Sequence, residues 1–471
     1  MMSPIERCKL LNQVGALVAW IGVVAASSVG WAQDAHYWTL SYGTRATLLG
    51  GAVIGSTADL SATFYNPAAI GLRRDQGFIL SAKVYQYNLL RVENGGGDGI
   101  DLISSGTAPL PSFLAGAFSI GGLERHAFAY SILTRQDARF RIATRLVEDR
   151  DVLPDDPGDE AFAGEFTYEQ NLGDLWLGLS WAYPLGDKVA VGATQYLAWR
   201  DQRTRGQLTV DALTAIGDLA TVNLIRDFDY LDVRLLWKFG LGFNLQPFTC
   251  GITATTPGVH LYGSGSAFTN TSMTGIDQDG DQVPDPLLAA QHEEDLAAEY
   301  RSPWSVGLGG AYRHGSTILH ASAEWFEAID AYEVLETSAF QMQTSGESRR
   351  FRVVQELESV FDYGVGIEQK FGGRVSGYAS FVTDASARRP GSTANVSVAS
   401  WDLRHISAGA SFGVGRIDLV LGGTYSFGSE NIRQVNDWLD GDPSQGLGDS
   451  VRDAQVKTQS YRIVFAFSLG S

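Results

Sequence analysis

The sequence predicts an all-β protein, a 14-stranded antiparallel transmembrane β-barrel with an N-terminal hatch (plug) segment inside the lumen. Three observations predict it: a leader of the export type at residues 1–32, period-2 alternation of large apolar with polar or small residues from Phe78 onward, and connections that alternate short and long. Alternation at period 2 marks strands with two different faces. Short turns on one side and long loops on the other are the plan of a bacterial outer-membrane barrel with an even strand number.

Composition narrows the field first. The chain has 471 residues, a net charge of −18, 11% aromatic residues and 54 glycines. Disordered chains are poor in aromatic and β-branched residues, so disorder is excluded. Beyond residues 14–32, no run approaches the roughly 18 apolar residues of a spanning helix. The acidic balance argues against nucleic acid, whose phosphates require surfaces rich in Lys and Arg.

In the leader, Arg7 and Lys9 supply the positive start and residues 14–29 the apolar stretch; Gly30-Trp31-Ala32 puts small residues at the cleavage positions. Cleavage is expected before Gln33, with an uncleaved anchor helix as the alternative. Three parts follow: a signal peptide at 1–32, a hatch at 33–76 and a barrel at 77–471. Cys8 leaves with the signal, so Cys250 is the only mature cysteine and no internal disulfide is expected. Residues 33–76 do not alternate and are rich in Gly, Ala, Ser and Thr. The inward positions of the strands are also often Gly, Ala or Ser, which leaves lumen to be filled.

The strands are read at 77–92, 111–120, 125–147, 164–184, 187–210, 226–246 and 248–263. The rest lie at 300–313, 317–334, 350–371, 373–386, 399–413, 416–433 and 453–469. The clearest places Leu231, Val233, Leu235, Trp237, Phe239 and Leu241 on one face and Asp232, Arg234, Lys238 and Gly240 on the other. Leu175, Leu177, Leu179 and Trp181 alternate in the same way with Gly178, Ser180 and Ala182. Tight turns are expected at Gly121-Gly122, Leu185-Gly186-Asp187, Gln246-Pro247, His314-Gly315, Gly372-Gly373 and Val414-Gly415. Long loops are expected at 93–110, 148–163, 211–225, 264–299, 335–349, 387–398 and 434–452.

Within the first mature residues run Tyr42-Gly43-Thr44-Arg45-Ala46, Gly50-Gly51-Ala52, and Asp59 through Asn66-Pro67-Ala68-Ala69-Ile70-Gly71. This stretch resembles the N-terminal hatch of the FadL-like outer-membrane transporters of long-chain fatty acids and aromatic hydrocarbons. The resemblance implies passive uptake of hydrophobic small molecules through a plugged barrel. It implies ligand capture by apolar extracellular loops, release by movement of the hatch at Asp59, Asn66, Pro67 and Ala68, and sideways exit through a kinked third strand. Segment 125–147 has no Gly or Pro, the usual marks of a bend, so its composition does not support that exit, and a bulge formed without Gly is the alternative. The chain also ends Phe467-Ser468-Leu469-Gly470-Ser471, with the aromatic residue set four positions inward.

Two loops are candidates for ligand capture. Leu213, Ile216, Leu219 and Val222 recur every three residues, with Leu224 and Ile225 beside them, which predicts a short amphipathic helix. Pro286 is placed to open a second helix carrying Leu287, Leu288 and Leu296, with His292, Glu293, Glu294 and Asp295 opposite. The two helices either pair into a surface groove or pack on the rim. Asn66 and Pro67 either seat the plug or move with it. Asp59 is a candidate to pair with an inward cation among Lys83, Lys188, Arg234, Lys238 and Lys370.

Asp277, Asp279, Asp281 and Asp285 alternate in one loop, and carboxylates at this spacing suit Ca²⁺, which takes six to eight oxygen ligands. A structural Ca²⁺ and a solvated acidic turn are the two readings; no other cofactor is expected. Elbow, zinc-protease and phosphate-loop motifs are missing, so no enzyme is predicted. His320 with Glu324 on one strand face is a conceivable start of a catalytic site, and a lumen hydrogen bond is the plainer reading. A non-specific structural barrel and an outer-membrane lipid hydrolase are the competing functions. Expected partners are the outer-membrane bilayer and a hydrophobic ligand, with the chain a monomer.

Overall fold

The structure, a computed structural model, describes residues 35–72, 77–93, 101–150, 158–276, 283–372, 374–389, 395–396, 399–415, 417–435 and 451–469. The expected leader and its cleavage site lie outside them. The first strands are β1 (Phe78–Glu93), β2 (Leu102–Phe118), β3 (Ala127–Arg150), β4 (Glu160–Pro184), β5 (Val189–Leu213), β6 (Leu219–Leu245) and β7 (Phe248–Thr255). A hairpin of β8 (Val259–Thr274) and β9 (Leu287–Ala297) precedes β10 (Ser305–His314) and β11 (Thr317–Phe326). Next come β12 (Ile329–Glu336), β13 (Phe340–Gln341), β14 (Ser348–Arg349) and β15 (Arg352–Leu357). The wall resumes with β16 (Val360–Lys370), β17 (Val375–Asp384), β18 (Leu403–Val414), β19 (Ile417–Val435) and β20 (Val451–Leu469).

Among the described residues, fourteen strands close into an antiparallel ring. The ring runs β1 to β7, then β10, β11 and β16 to β20, and β20 pairs back onto β1. Closure is what lipid requires, because a peptide group facing hydrocarbon finds no water to replace a missing strand. Outward residues confirm the slab: Leu175, Leu177, Leu179 and Trp181 of β4 are exposed, while Trp176, Ser180 and Ala182 are buried inside. On β5 the outward series changes from Trp199 to Asp201, Arg203 and Arg205, all exposed. The apolar belt therefore adjoins the short turns, and a charged wall rises on the other side.

β6 has 27 residues, against the roughly 9–11 that cross a bilayer. The excess stands above the belt. There β8 and β9 extend the sheet along the upper half of β6, whose lower half pairs with β7. Thr256-Pro257-Gly258 divides β7 from β8 at a residue with no N–H to give the ladder. Sequence segments 317–334 and 350–371 are likewise divided, segment 300–313 is a single strand that starts only at Ser305, and β12 and β15 form a separate two-stranded sheet. Tyr332, Val334 and Val353 from that sheet pack with Val396 against Phe228, Tyr230 and Leu296.

Both expected helices are corrected to strands. Residues 211–225 form the tip of the β5–β6 hairpin, where Thr214 and Asp218 close the turn and Leu213, Val210 and Leu208 face Leu219, Val222 and Leu224. Residues 287–297 are β9, paired with β8. A short helix standing alone in water is marginal, whereas a strand here inherits the ladder of its neighbour. The expected loop at 93–110 also shortens, since β2 begins at Leu102.

The lipid face gives the first prediction. Leu179→Arg puts a cation in the belt and is expected to cost roughly 2–4 kcal/mol near the bilayer midplane, read as a lower urea midpoint in lipid vesicles.

Candidate functional site

Residues 35–72 lie against the inward face of the wall and carry three short helices, α1 (Arg45–Leu48), α2 (Ala62–Tyr65) and α3 (Ala68–Leu72). Asn66 explains why this residue type stands before α3. Its Oδ1 accepts the Ala68 N–H at 3.1 Å, and its Nδ2 donates to Ile54 O at 3.1 Å and Leu241 O at 2.9 Å. One side chain thus caps a helix and ties two backbones, one within the segment and one on β6. Only an amide offers both an acceptor and two donors.

Glycines make the seat. A Cβ on Gly240 would collide with Asn66 Oδ1, one on Gly251 with Asn66 Nδ2, and one on Gly192 would stand 2.5 Å from the Pro67 carbonyl carbon. Gly192 and Gly240 are cross-strand partners, so the bare backbone of β5 and β6 receives Asn66-Pro67-Ala68 as a unit. On the opposite wall Leu48 and Leu49 fill the space over Gly366, Gly409 and Gly422.

Asp59 is corrected: it pairs with no wall cation among the described residues. It accepts hydrogen bonds from Thr44 Oγ1 (3.0 Å), Ser61 N (2.9 Å) and Ser61 Oγ, and so braces the segment internally. Arg234 and Lys238 do point inward, but toward Asp174 (2.5 Å) and Glu324 (3.6 Å). Lys188 and Lys370 are exposed at short turns, and the Lys83 side chain lies outside what is described.

Two further ties went unforeseen. Arg45 of α1 pairs with Glu368 of β16, and its Nη2 donates to His320 Nε2 at 3.1 Å; His320 Nδ1 meets Ser56 Oγ at 2.8 Å. Asp384, at the end of β17, accepts the N–H groups of Tyr37 (3.0 Å) and Trp38 (2.8 Å) and the Thr39 hydroxyl. Their signal was available in the strand phase, which turns Glu368 and Asp384 inward where a carboxylate needs partners.

His320 and Glu324 do not meet; Glu324 accepts from Trp38 Nε1 (3.0 Å) and Ser305 Oγ (2.8 Å). A Ser426–His405–Asp384 string does occur, at 2.6 and 3.3 Å. Ser426 is buried and Asp384 spends its oxygens on residues 37–39, so the string anchors the N-terminal segment.

Where the segment meets β3, the wall changes character. Arg135 is an extra residue in the β3–β4 ladder, a bulge formed without glycine. It donates to Tyr37 O at 2.6 Å and lies over the rings of Tyr37, Phe64 and Trp176. A cavity of about 50 Å³ adjoins it, lined also by Arg234, Lys238 and Glu324. That is room for a few waters and not for an alkyl chain. Just below, β2–β3 pairing stops at Phe113↔Leu133. Above that point β2 pairs with β1, β3 pairs with β4, and no β2–β3 pair is found among the described residues. The seam is thus laterally unpaired beside a bulge that needed neither Gly nor Pro, the alternative that the composition of the third strand left open.

The expected ligand-collecting residues separate into two groups. Leu213, Ile216, Leu219 and Leu288 are exposed, Ile216 at 80%, whereas Val222 and Leu296 are buried and Leu287 is half-buried. Gly275, at the end of β8, approaches Leu219 O, so the two hairpin tips adjoin. Asp277, Asp279 and Asp281 lie outside the described residues; Asp285 N donates to Ile276 O at 2.8 Å.

No protein-family model and no curated protein matches the chain. Solved structures do. A FadL homologue of Pseudomonas aeruginosa aligns over 92% of this chain and 99% of its own, with 14% identity and a TM-score of 0.57. The chain has the fold of the FadL-like channels. The P. putida toluene transporter TodX matches at 14% identity over 92% of this chain and 99% of that one, TM-score 0.56. The Ralstonia pickettii toluene transporter TbuX matches at 14% identity over 91% and 98%, TM-score 0.50.

Asn66→Asp tests the tie. The variant keeps the cap but loses both donors, leaving Ile54 O and Leu241 O facing an anion, at a cost of roughly 1–3 kcal/mol. Faster protease cleavage within 35–72, with an intact heat-modifiable barrel, is the expected result.

Proposed function

We propose that the protein is an outer-membrane channel for passive uptake of hydrophobic small molecules, such as long-chain fatty acids or hydrocarbons, stoppered by its N-terminal segment. In this reading residues 1–32 are a signal peptide, 33–76 the hatch and 77–471 the barrel. The observation that carries it is the unpaired β2–β3 seam beside an interior occupied by residues 35–72. A water-filled porin has no need of either.

The route follows from the chemistry of a greasy ligand crossing a polar surface layer. The exposed tip residues Leu213, Ile216, Leu219 and Leu288 collect it. It passes beneath the 329–357 sheet toward the Arg135 cavity, which must open, and leaves sideways through the seam into lipid. Movement of Asn66-Pro67-Ala68 from its glycine seat, with Asp59 keeping the segment folded, is the opening step. The solved structures of similar fold support this reading, two of them being called toluene transporters. A monomer suffices, since one chain closes the ring.

Deleting residues 33–76 is expected to leave a folded barrel with raised ion conductance in planar bilayers. The intact protein is expected to admit a hydrophobic probe into liposomes and to exclude sugars. A truncated barrel as tight as the whole one refutes the stopper, and sugar entry through the intact one refutes the channel's selectivity.

A further inference from the structure

The outer wall carries a concavity of its own, separate from the lumen. A trough of about 760 Å³ runs across β7, β10, β11, β16 and β17 on the face turned to lipid. That lies in the roughly 300–1,000 Å³ range of pockets that take small organic ligands. Strand register makes the hollow. Gly310, Ala321 and Val365 are neighbours along one row of the ladder, and Tyr312, Leu319, Ile367 and Ala379 along the next. The small residues leave a recess walled by Tyr312, Leu319, Val365 and Ile367, all exposed on the apolar belt. At its foot the rings of Phe248 and Tyr312 stand 4.8 Å apart, beside the short turns. Aromatic residues gather at the level of lipid head groups, so the trough runs from that level into hydrocarbon.

The rim of the trough is cationic. The three turns around its foot, residues 244–249, 312–319 and 369–378, hold Arg313, Lys370 and Arg374 and no Asp or Glu, in a chain of net charge −18. Other short turns carry Glu124, Asp187 and Asp418. Arg313 turns inward, toward the mouth of the lumen, and Glu368, next along β16, faces the lumen and pairs with Arg45. Lys370 and Arg374 are exposed, and Arg374 spends one nitrogen on Gly415 O. Cations at the end of an apolar recess match a molecule with an anionic head and a long hydrocarbon tail, since each Lys or Arg near a membrane surface attracts anionic lipid.

We propose that the trough and its rim bind an anionic phospholipid of the periplasmic leaflet, with one acyl chain lying over Gly310 and Ala321 and the phosphate held at Lys370 and Arg374. The site needs only that the barrel spans the membrane with its short turns at the periplasm; it does not depend on what the lumen carries. A zwitterionic lipid offers the same chains but offsets its phosphate with a cation of its own. A second copy of the barrel, docked about a two-fold axis, would set cations against cations, because such an interface joins the same patch on both subunits.

The test titrates the full-length protein, in an uncharged detergent, with dioleoyl phosphatidylglycerol or dioleoyl phosphatidylcholine, which carry identical chains, and reads binding by native mass spectrometry. Wild type is expected to hold phosphatidylglycerol about tenfold or more tighter, the effect of two cations at a membrane surface. Lys370→Gln combined with Arg374→Gln is expected to bring the two lipids to near-equal affinity. Ala321→Trp, which fills the recess from the lipid side, is expected to weaken both severalfold. Heat-modifiable migration verifies folding, and since the variants act on different parts of the site, either carries the test if the other does not fold. Equal affinities in wild type, or a preference that survives in the folded double variant, overturn the head-group site. Lipid binding untouched by Ala321→Trp overturns the trough, and a lipid-free dimer in wild type overturns the proposal by making a second copy the occupant.

Discussion

A peptide group in hydrocarbon must be paired by another peptide group, and every large feature of this chain follows from that rule. It forces fourteen strands to close, and it fixes the outward phase of each so that side chains such as Leu177 and Phe465 meet lipid. It also makes the β2–β3 seam conspicuous. Unpaired strand edges are normally paired or covered, and here two of them face one another beside a buried arginine.

Closure has a second effect. A ring of fourteen strands encloses more space than its own side chains fill, and this chain leaves that space open with inward glycines. The N-terminal segment takes it up, tied by side chains to backbone from several quarters: Asn66 to Leu241 O, Tyr196 to Thr63 O, Tyr42 to Thr134 O and Arg462 to Thr39 O. Each bond is modest, about 1 kcal/mol net. Such a set holds a segment in register yet can be exchanged stepwise, unlike a continuous strand ladder.

Much of the fold was legible because period 2 is a strong signal when one face meets lipid. The series from Leu231 to Leu245 and from Leu175 to Trp181 could take only one phase, and the short turns followed from their glycines or, at Gln246-Pro247, from a proline. Above the belt that signal fades. Leu213, Ile216 and Leu219 meet water on the outer side, so nothing enforces alternation, and three-residue spacing imitated a helix. The site was legible only in part. Asn66 stood out in its motif, but its bond to Leu241 O spans 175 positions. Arg135 gave no warning either, because a bulge is a property of the ladder and not of the residue that occupies it.

The height of the β4–β6 wall has a consequence for where a ligand is first met. From Trp199 at the edge of the belt to Leu213 at the tip is a climb of about 45 Å along the strand, somewhat less once tilt is allowed for. Under the proposed reading, a molecule of low solubility would be intercepted in the aqueous phase, outside the crowded sugar layer of the cell surface. Encounter would then scale with the dissolved concentration outside the cell, and not with how much had already soaked into the outer leaflet.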